Sequence, residues 1–393
     1  MAKLSVKDLD VKGKKVFVRV DFNVPLDEGS HVTDDTRIRA ALPTISYILE
    51  QGGIPILVSH LGRPKGSYDP KLSLKPVAER LVKLLDRKVV FAPDCVGEEV
   101  KKLSDSLKPG DIMLLENTRF HPEEKSNDPE FAKQMASLAD LYVNDAFGTA
   151  HRAHASVVGV AANFDNPACG LLMEQEITFL GNVLKDPKRP LLAIIGGAKV
   201  STKIGVIKNL LRVVDSLIIG GGMCYTFYKA QGYQIGTSLC EPDFVSTAKE
   251  LLDSEKIYLP VDVVTAPEVK VGAAIQTVDA HEMPADRAGV DIGERSRQDI
   301  TAEIEKAQTI VWNGPLGIFE IEDFSRGTQA IAQAVVHATE RGAVSIVGGG
   351  DTIAALCKFR MVDKVSHAST GGGASLEFLE GKELPGITIL KDI

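Results

Sequence analysis

The sequence predicts an α/β protein built from two doubly wound parallel sheets, one in each half of its 393 residues. Short apolar runs alternate with helical patterns along the chain, which is typical of parallel α/β layers. The runs of the first half end in polar or charged residues, whereas those of the second half end in glycines. At roughly 150 residues per domain, the length is sufficient for two or three separate cores.

Four strands are predicted in the first half, where polar or charged side chains follow each apolar run. These runs are KKVFVRVDFN, IPILVSHLGR, DIMLLENTRF and ADLYVNDAFG. Between them, residues 37–51 and 73–86 have apolar positions at helical spacing, such as Leu74, Val77 and Leu81. We therefore expect strands and helices to alternate.

The corresponding runs of the second half end in glycines. They are PLLAIIGGAK, DSLIIGGGM, QTIVWNGPLG and AVSIVGGGDT, and HASTGGGAS adds a further glycine-rich turn. In open parallel sheets, ligands bind beyond the carboxyl ends of the strands. One sheet therefore offers cationic and amide side chains and the other offers bare backbone, which predicts two ligands of different chemistry.

Residues 171–186 (LLMEQEITFLGNVLKD) predict a single helix that ends before Pro187 and Pro190. This helix is the natural connection between the halves, which puts the domain boundary near residues 170–190. An ordinary crossover helix within one domain fits the same pattern equally well.

The composition excludes several classes of protein. The formal net charge is −8; residues 1–170 contain 23 Lys and Arg against 24 Asp and Glu, and residues 171–393 contain 22 against 29. Neither half has the basic excess of a nucleic-acid-binding protein. No run of about 18 apolar residues predicts a membrane span, and MAKLSVKDLDVKGKK lacks the apolar segment of a signal peptide. Five scattered Cys without CxxC spacing indicate reduced, mostly buried thiols of a cytoplasmic protein.

The glycine-rich half contains neither GxxxxGK[ST] nor GxGxxG, so it lacks the Walker loop and the dinucleotide fingerprint. Gly196-Gly197-Ala198-Lys199 instead follows a strand, and we expect it to open a helix, VSTKIGVIKNLLRVV. Lys199 and Lys203 would then share one face of the first turn, where cations oppose the helix dipole by about 0.3–1 kcal/mol. A bound phosphate would make the arrangement favourable, because an anion is stabilised both by the lysines and by the helix N-terminus. The alternative is two solvated lysines.

A second glycine-rich turn, Gly348-Gly349-Gly350-Asp351-Thr352, is predicted between a strand and a helix. Residues without a Cβ allow a ligand to approach backbone amides closely. Asp351 is either the N-cap of that helix or a ligand of Mg²⁺ bound to nucleotide phosphates. We expect Trp312 in the core, whereas Asn313 and Glu320 either contact a base or ribose or face water.

In the first half, polar and charged residues cluster after the predicted strands or begin the first helix. They are Asp21, Asn23, Arg37, Arg39, His60, Arg63, Arg119, His151, Arg152 and His154. Arginine binds carboxylate and phosphate in a bidentate manner. Each residue alone would be an ordinary surface residue, but together on one sheet edge they favour a small, strongly anionic ligand. Neither an HExxH metal motif nor a GxSxG elbow occurs, so a covalent enzyme intermediate is not indicated.

Ten segments together closely resemble the phosphoglycerate kinase family, from about residue 4 to the C-terminus. They are RVDFNVPL, TRIRAALPTI, SHLGRPKG, LLENTRFHPEE, NDAFGTAHRAHAS, IIGGAKVSTK, IIGGGM, VWNGPLGIFE, VGGGDT and HASTGGGASLEFLEG. The resemblance implies a cytoplasmic, monomeric glycolytic kinase that transfers a phosphoryl group reversibly between 1,3-bisphosphoglycerate and MgADP, giving 3-phosphoglycerate and MgATP.

The resemblance also implies an architecture of two Rossmann-like domains joined by a hinge helix. The N-terminal domain would comprise residues 1–170 with the returning segment 382–393, the linker residues 171–190, and the nucleotide-binding domain residues 191–381. The implied partners are the small-molecule substrates alone, without nucleic acid or membrane.

Carried over by motif, the implied triose site comprises Asp21, Phe22, Asn23, Arg37, His60, Leu61, Gly62, Arg63, Arg119 and Arg152. The implied nucleotide site includes Gly197, Ala198, Lys203, Gly221, Asn313, Pro315, Glu320, Gly349, Gly350, Asp351 and Thr352, with Asp351 reaching Mg²⁺. Arg37, Lys199 and the amides at Gly372 and Gly373 would stabilise the phosphoryl group during transfer. Between about residues 278 and 296 the sequence departs from the family, with ADRAGVDIGERS where DIGPKT is often found; Gly289 there matches a nucleotide-contacting glycine.

Phosphoryl transfer requires positioning and charge neutralisation, and a carboxylate oxygen needs no general base to attack. Because each ligand belongs to a different half, we expect closure about hinges at residues 170–190 and near 378–383. A nicotinamide-dependent dehydrogenase is disfavoured because GxGxxG is absent. A non-catalytic two-domain anion- or nucleotide-binding protein would have no reason to combine nucleotide-type glycine turns with an arginine cluster.

Overall fold

The computed structural model describes residues 2–393 and confirms the predicted fold class, with two six-stranded parallel sheets. The chain divides into two compact units, each containing one of these sheets. Unit 1 comprises the residues up to Thr178 together with Glu383–Ile393, and unit 2 comprises Phe179–Lys382. The hinge function expected for residues 171–190 remains a prediction.

The sheet of unit 1 has the strand order β3-β4-β2-β1-β5-β6. Its strands are β1 (Lys15–Arg19), β2 (Ile54–Val58), β3 (Val89–Phe91), β4 (Ile112–Leu114), β5 (Leu141–Asn144) and β6 (Ala168–Cys169). Its helices are α1 (Thr36–Glu50), α2 (Lys75–Leu85), α3 (Glu98–Ser106), α4 (Glu123–Ser126), α5 (Pro129–Ala136) and α14 (Pro385–Thr388). All six strands are parallel, so the carboxyl ends of β1, β2, β4 and β5 lie at one edge of the sheet, and the direction of winding reverses at β1.

Two features of unit 1 agree with expectations, one from the sequence pattern and one from the family resemblance. Leu74, Val77 and Leu81 are completely buried, as their helical spacing predicts for α2 and the residue before it. The C-terminal segment returns to this unit as predicted, because the Leu4 amide donates a hydrogen bond of 2.8 Å to the Lys391 carbonyl.

The parallel sheet of unit 2 has the strand order β15-β14-β13-β7-β8-β9. Its strands are β7 (Leu191–Ile195), β8 (Ser216–Ile219), β9 (Ile257–Tyr258), β13 (Thr309–Asn313), β14 (Val344–Gly348) and β15 (His367–Ala368). The helices are α7 (Ile204–Leu210), α8 (Cys224–Ala230), α9 (Val245–Leu252), α10 (Glu294–Lys306), α11 (Arg326–Glu340), α12 (Gly350–Lys358) and α13 (Gly373–Leu379). Trp312 is completely buried on β13, as predicted.

Unit 2 also contains a three-stranded antiparallel sheet that the sequence pattern does not predict. Its order is β11-β10-β12, with β10 at Asp262–Ala266, β11 at Gln276–Asp279 and β12 at Ala288–Ile292. The segment that departs from the family pattern, residues 278–296, includes the end of β11, β12 and the beginning of α10. Its strands form by pairing with the buried β10.

Helix α6 (Leu171–Lys185) crosses the division between the units and matches the helix predicted over residues 171–186. Its first amides are capped from elsewhere in unit 1. Leu172 N and Met173 N donate to Asp145 Oδ1 at 3.0 and 3.2 Å, and Leu171 N donates to Thr44 Oγ1 at 2.9 Å. The preceding Gly170 leaves room for this cap, since a Cβ there would lie 2.2 Å from Asp145 Oδ1.

The same arrangement recurs at α10 in unit 2. Ser296 N donates to Asp262 Oδ1 at 2.8 Å and Arg295 N donates to Asp262 Oδ2 at 3.1 Å. A Cβ on Gly293, which precedes the helix, would lie 2.2 Å from Asp262. In both units, an aspartate carried by a strand or its end therefore replaces the usual local N-cap side chain.

The cysteines and the helices agree with the composition. Cys95, Cys169 and Cys224 are buried, Cys240 is partly buried, and none of the five cysteines forms a disulfide. Among the helices of residues 2–393, none combines the length and the hydrophobicity that a membrane span requires.

Candidate active site

The arginine cluster of unit 1 forms at the carboxyl ends of β1, β2, β4 and β5. The predicted side chains that follow these strands are Asp21, Asn23, His60, Arg119 and Arg152. Parallel strands bring their carboxyl ends to the same edge of the sheet, so residues far apart in sequence meet there. The structure thus brings these five residues together, whereas Arg39 is exposed and pairs with Asp35 at 2.9 Å.

Hydrogen bonds join several members of this cluster into one set. Arg37 Nη1 donates to Asp21 Oδ2 at 2.9 Å and to the Asn23 carbonyl at 3.3 Å. Asn23 Oδ1 accepts a bond of 2.8 Å from the Gly62 amide, and Arg119 Nη1 donates to the Gly62 carbonyl at 2.8 Å. The cationic side chains are therefore held in place by the protein itself before any ligand binds.

The electrostatics of the cluster disfavour further positive charge. Burial, followed by the nearby charges of Arg19 and Arg152, lowers the pKa of Arg119 to about 10. Burial, followed by the charges of Arg119, Arg19 and Arg152, lowers the pKa of His154 to about 4. Cations crowded in this way repel one another, so a multiply charged anion would stabilise the site.

Three predicted residues have a different environment. The side chains of Phe22 and Leu61 are buried, and their amides donate to Ser59 Oγ at 2.8 Å and to Asn117 Oδ1 at 3.1 Å. These two residues therefore shape the site rather than offer it polar groups. Arg63 is exposed and makes no hydrogen bond or ion pair with any residue in the described part of the chain.

Sequence reasoning missed a buried network beneath the cluster. Arg19 is completely buried, and its Nε donates to Ser156 Oγ at 2.7 Å. Ser156 Oγ in turn donates to Glu124 Oε1 at 2.6 Å. A single charged residue inside the apolar run VFVRV was the signal for Arg19, because a buried arginine requires a partner.

In unit 2, the glycine-rich turns meet around a cavity of about 410 Å³, which we call the glycine cavity. Eleven of the predicted residues line it: Gly197, Ala198, Lys199, Lys203, Asn313, Gly349, Gly350, Asp351, Thr352, Gly372 and Gly373. The other lining residues are Gly196, Thr202, Gly314 and Leu376. Four of the five glycine-rich motifs of the second half therefore meet at this cavity, whereas DSLIIGGGM contributes no lining residue.

The glycines of this cavity are of two kinds. A Cβ on Gly196 would lie 2.2 Å from the Pro315 carbonyl, and one on Gly314 would lie 2.1 Å from the Gly196 carbonyl, so packing alone requires glycine at both positions. A Cβ on Gly350 or Gly372 would meet nothing within 4 Å. Gly372 has a φ of +53°, which favours glycine. At Gly350 neither a close neighbour nor a left-handed φ requires glycine.

Lys203 is the cation most firmly held at the glycine cavity. Its Nζ donates a hydrogen bond to Asn313 Oδ1, and burial lowers its pKa, with Asp351 opposing the shift. Asn313 is buried, and its Nδ2 has no hydrogen-bond partner among residues 2–393. A buried donor without a partner is unfavourable, so the site is suited to a ligand with acceptor oxygens.

The expected helix start after GGAK is wrong. Helix α7 begins only at Ile204, preceded by a 3₁₀ turn, so Lys199 and Lys203 do not share the first turn of an α-helix. The cause is a long-range contact, because the Ser201 amide and hydroxyl bind the Glu241 carboxylate at 3.0 and 2.6 Å. Lys199 remains exposed at the rim of the cavity, while Lys203 points inward.

The structure excludes one of the two roles expected for Asp351, that of a helix N-cap. The N-cap of α12 is Gly349, and Asp351 lies exposed in the first turn, without a hydrogen bond or ion pair to any described residue. Thr352 is buried instead, and its Oγ1 accepts a bond of 2.7 Å from the Gly314 amide. A carboxylate at the rim of an amide-lined cavity fits a divalent cation that arrives with phosphates.

Comparisons with known proteins agree with this geometry. The sequence matches the phosphoglycerate kinase family over residues 6–382. The chain belongs to this family. It is 54% identical to the phosphoglycerate kinase of Koribacter versatilis (strain Ellin345), with 99% of each chain covered. It is 53% identical to the cytosolic phosphoglycerate kinase of Triticum aestivum, with 98% of this chain and 97% of that one covered.

Solved structures support the same assignment. Phosphoglycerate kinase from Coxiella burnetii superposes with a TM-score of 0.90 at 44% identity, and that from Pyrococcus horikoshii OT3 with 0.85 at 33% identity, each covering 98% of both chains. The protein is a phosphotransferase and a glycolytic kinase, as the motifs predicted. The dehydrogenase and the non-catalytic binding protein are not supported.

Two further glycines of the kinase have a structural explanation. A Cβ on Gly221, which has a φ of +68°, would lie 2.7 Å from the Gly197 amide nitrogen. A Cβ on Gly289 would overlap the Tyr225 ring, and the Gly289 amide donates to Ser238 Oγ at 2.9 Å. Neither glycine lines the glycine cavity, so their contacts with nucleotide remain predictions.

Pro315 and Glu320, the other two residues expected to bind nucleotide, do not line the glycine cavity. The Pro315 carbonyl accepts a bond of 3.1 Å from the Gly197 amide, and the Glu320 carbonyl accepts one of 3.3 Å from Lys358 Nζ. Glu320 is exposed. Leu239, which the motifs did not indicate, is 61% exposed beside Gly222 and offers an apolar surface close to the glycine turns.

Proposed function

We propose that the arginine cluster binds 3-phosphoglycerate or 1,3-bisphosphoglycerate and that the glycine cavity binds ATP or ADP. The kinase then transfers a phosphoryl group reversibly between 1,3-bisphosphoglycerate and MgADP. The observation that supports this assignment best is the contrast between the sites. One consists of arginines held by carboxylate and carbonyl groups, and the other consists of bare backbone with one inward lysine.

The arginines and the carboxylate of the triose site would bind different groups of the ligand. Arginines suit the phosphate and carboxylate of the ligand through charge-assisted hydrogen bonds. Asp21 would accept a hydrogen bond from the ligand hydroxyl, because a carboxylate can only accept hydrogen bonds and repels the anionic groups of the ligand. The residues assigned to this site are Asp21, Phe22, Asn23, Arg37, His60, Leu61, Gly62, Arg63, Arg119 and Arg152.

The nucleotide site would hold phosphates against backbone amides, where no Cβ prevents close approach. The residues assigned to it are Gly197, Ala198, Lys203, Gly221, Gly289, Asn313, Pro315, Glu320, Gly349, Gly350, Asp351 and Thr352. Leu239 would contact the apolar face of the base. Asp351 would hold Mg²⁺, which neutralises phosphate charge when it is bound with the nucleotide.

Transfer would be direct and in line. A carboxylate oxygen of 3-phosphoglycerate attacks without a general base, because it is already ionised at neutral pH. Arg37, Lys199 and the amides at Gly372 and Gly373 would neutralise the charge of the phosphoryl group in flight. Direct transfer requires the two ligands to meet in a dry environment, so we propose domain closure about hinges at residues 171–190 and 378–383.

We also propose that the enzyme is cytoplasmic and acts as a monomer on small molecules alone. The cytosolic relative from Triticum aestivum and the free cysteines support the location. Sedimentation of the purified chain would measure the oligomeric state.

A coupled assay with 3-phosphoglycerate and MgATP tests the proposed roles. Lys199→Ala and Arg37→Ala should lower kcat by about 100-fold or more, as expected for groups that stabilise the transferring charge. Lys199→Ala should change the Kd for nucleotide far less. The exposed Lys208 and Arg87 provide controls, and Lys208→Ala and Arg87→Ala should retain normal turnover. Near-normal turnover in Lys199→Ala and Arg37→Ala would refute the assigned roles.

A further inference from the structure

His60 lies above a chain of buried hydrogen bonds that begins at a carboxylate. Glu124 is completely buried on α4 and accepts bonds from Ser156, at 2.9 Å from its amide and 2.6 Å from its hydroxyl. Because the Ser156 hydroxyl gives its proton to Glu124, its oxygen is free to accept the bond of 2.7 Å from Arg19 Nε. This chain determines the orientation of the Arg19 guanidinium.

The Arg19 guanidinium in turn contacts His60. One terminal nitrogen donates to the Val20 carbonyl, and the other, Nη2, lies 3.3 Å from His60 Nδ1. A guanidinium has donors and no acceptor, so His60 Nδ1 must be the acceptor and cannot hold a proton. The imidazole proton is therefore on Nε2, which makes no hydrogen bond within residues 2–393.

We propose that Glu124, Ser156 and Arg19 are positioning residues that fix His60 as the neutral Nε2–H tautomer, so that His60 contacts the anionic ligand as a hydrogen-bond donor and not as a cation. This inference rests on the proposed function for the identity of the ligand. The tautomer itself follows from the contacts of the ligand-free protein.

The electrostatics support a neutral ring. Burial, followed by the charges of Arg19, Arg119 and Arg37, keeps the pKa of His60 well below its usual value. His154 Nδ1 lies 3.9 Å from Glu124, but a pKa of about 4 leaves His154 uncharged at pH 7. Glu124 is therefore balanced through Ser156 by Arg19, and the positive charge of the cluster comes from its arginines and not from His60 or His154.

The first test is made on the wild-type protein without ligand. In a sample labelled with ¹⁵N-histidine, the imidazole nitrogen shifts distinguish the two neutral tautomers and the cation, and H60Q identifies the signals of His60. We expect the neutral Nε2–H tautomer at pH 7. A proton on Nδ1, or an imidazolium at pH 7, would overturn the proposal whatever the enzyme's substrate.

The second test breaks the chain at its middle. Ser156→Ala removes the link between Glu124 and Arg19 while both charges remain, so the His60 signal should become a mixture of tautomers. The KM for 3-phosphoglycerate should rise about tenfold, the factor for one lost hydrogen bond, while the KM for MgATP stays the same. Ser126→Ala is the matched control, because Ser126 is an exposed serine of α4 whose hydroxyl donates to the Glu123 carbonyl.

Glu124→Gln provides a second variant if Ser156→Ala is too unstable to study. It keeps an acceptor for the Ser156 amide and should shift the same signal and the same KM, by a smaller factor. If either folded variant keeps the Nε2–H tautomer and the wild-type KM, the positioning role is wrong although the proposed function stands. If the wild-type enzyme does not phosphorylate 3-phosphoglycerate, the proposed function is wrong although the tautomer can still be observed.

Discussion

The arginine cluster of unit 1 and the glycine cavity of unit 2 are both suited to anions, but by opposite means. In the cluster, charged side chains are fixed by other groups of the protein, as when Arg37 donates to Asp21 at 2.9 Å. In the cavity, ligand space exists because atoms are missing, since a Cβ on Gly350 or Gly372 would meet nothing within 4 Å. The arginine cluster should therefore lose ligand affinity when side-chain atoms are removed, and the glycine cavity should lose it when atoms are added.

The difference has a physical origin. Buried arginines require counter-charges and hydrogen-bond acceptors, which Glu124, Ser156 and backbone carbonyls provide. Backbone amides are dipoles without net charge, so the glycine cavity needs no such network. The cluster thus depends on residues behind it, whereas the cavity depends on the conformation of its own turns.

The largest effect should follow from removing a fixed charge. Arg119→Met keeps the bulk of the side chain but removes its guanidinium, so the KM for 3-phosphoglycerate should rise about 100-fold, as expected for charge-assisted hydrogen bonds. The Kd for MgATP should not change. Steady-state kinetics and nucleotide titration measure the two quantities, and Arg87→Met, at an exposed arginine of unit 1, is the control. A weaker nucleotide affinity with an unchanged KM for the triose would reverse the assignment of the two sites.

A smaller effect should follow from adding one methyl group to the glycine cavity. Gly350 begins α12 without a left-handed φ or a close neighbour, so Gly350→Ala should raise the free energy of unfolding slightly, by about 0.5 kcal/mol. The same methyl group would occupy space assigned to phosphate, and nucleotide affinity should fall about tenfold. Titration calorimetry and urea denaturation measure the two effects.

The matched control is another glycine of the same cavity. Gly196→Ala would place its Cβ 2.2 Å from the Pro315 carbonyl, and overpacking of this kind lowers the free energy of unfolding by about 1–3 kcal/mol. If Gly350→Ala also destabilises the fold, then Gly350 is required for a structural reason. If the variant leaves nucleotide affinity intact, then the missing Cβ of Gly350 does not make room for phosphate.

These contrasts also explain what could be predicted from the sequence. Apolar runs followed by polar residues or glycines predicted the central strands of both parallel sheets, because such strands are buried on both faces. The antiparallel sheet was missed because β11 (Gln276–Asp279) is half exposed and not hydrophobic, and forms only by pairing with β10. Strand formation there depends on tertiary contacts, which a local pattern does not contain.

For the sites, the motifs indicated the residues that line them but not the groups that hold those residues. The bond from Arg19 to Ser156 joins positions 137 residues apart, and the contact of Ser201 with Glu241, which delays the start of α7, spans 40. Neither contact has a local spacing that could be recognised. Lys203 was indicated by its motif, whereas its bond to Asn313 required the fold.

The smallest effect on activity is expected at Asp145, a buried carboxylate that lies against Gly170, where the change should instead appear in the stability of the fold. Gly170 makes room for Asp145, whose pKa burial raises to about 6 from an ordinary 3.8. A raised pKa in the folded state means that the contribution of Asp145 to stability is fully present below pH 3.8 and is lost as the pH rises through about 6, by about 3 kcal/mol in all. Asp145→Asn keeps an acceptor for the first amides of α6 but cannot ionise, so its free energy of unfolding relative to wild type should increase between pH 4 and pH 7. Urea denaturation across this range measures the difference, and Asp165→Asn, at an exposed aspartate, is the control. The gain in the free energy of unfolding should be confined to Asp145→Asn. Parallel curves for wild type and Asp145→Asn would mean that the buried carboxylate is stabilised in its charged form.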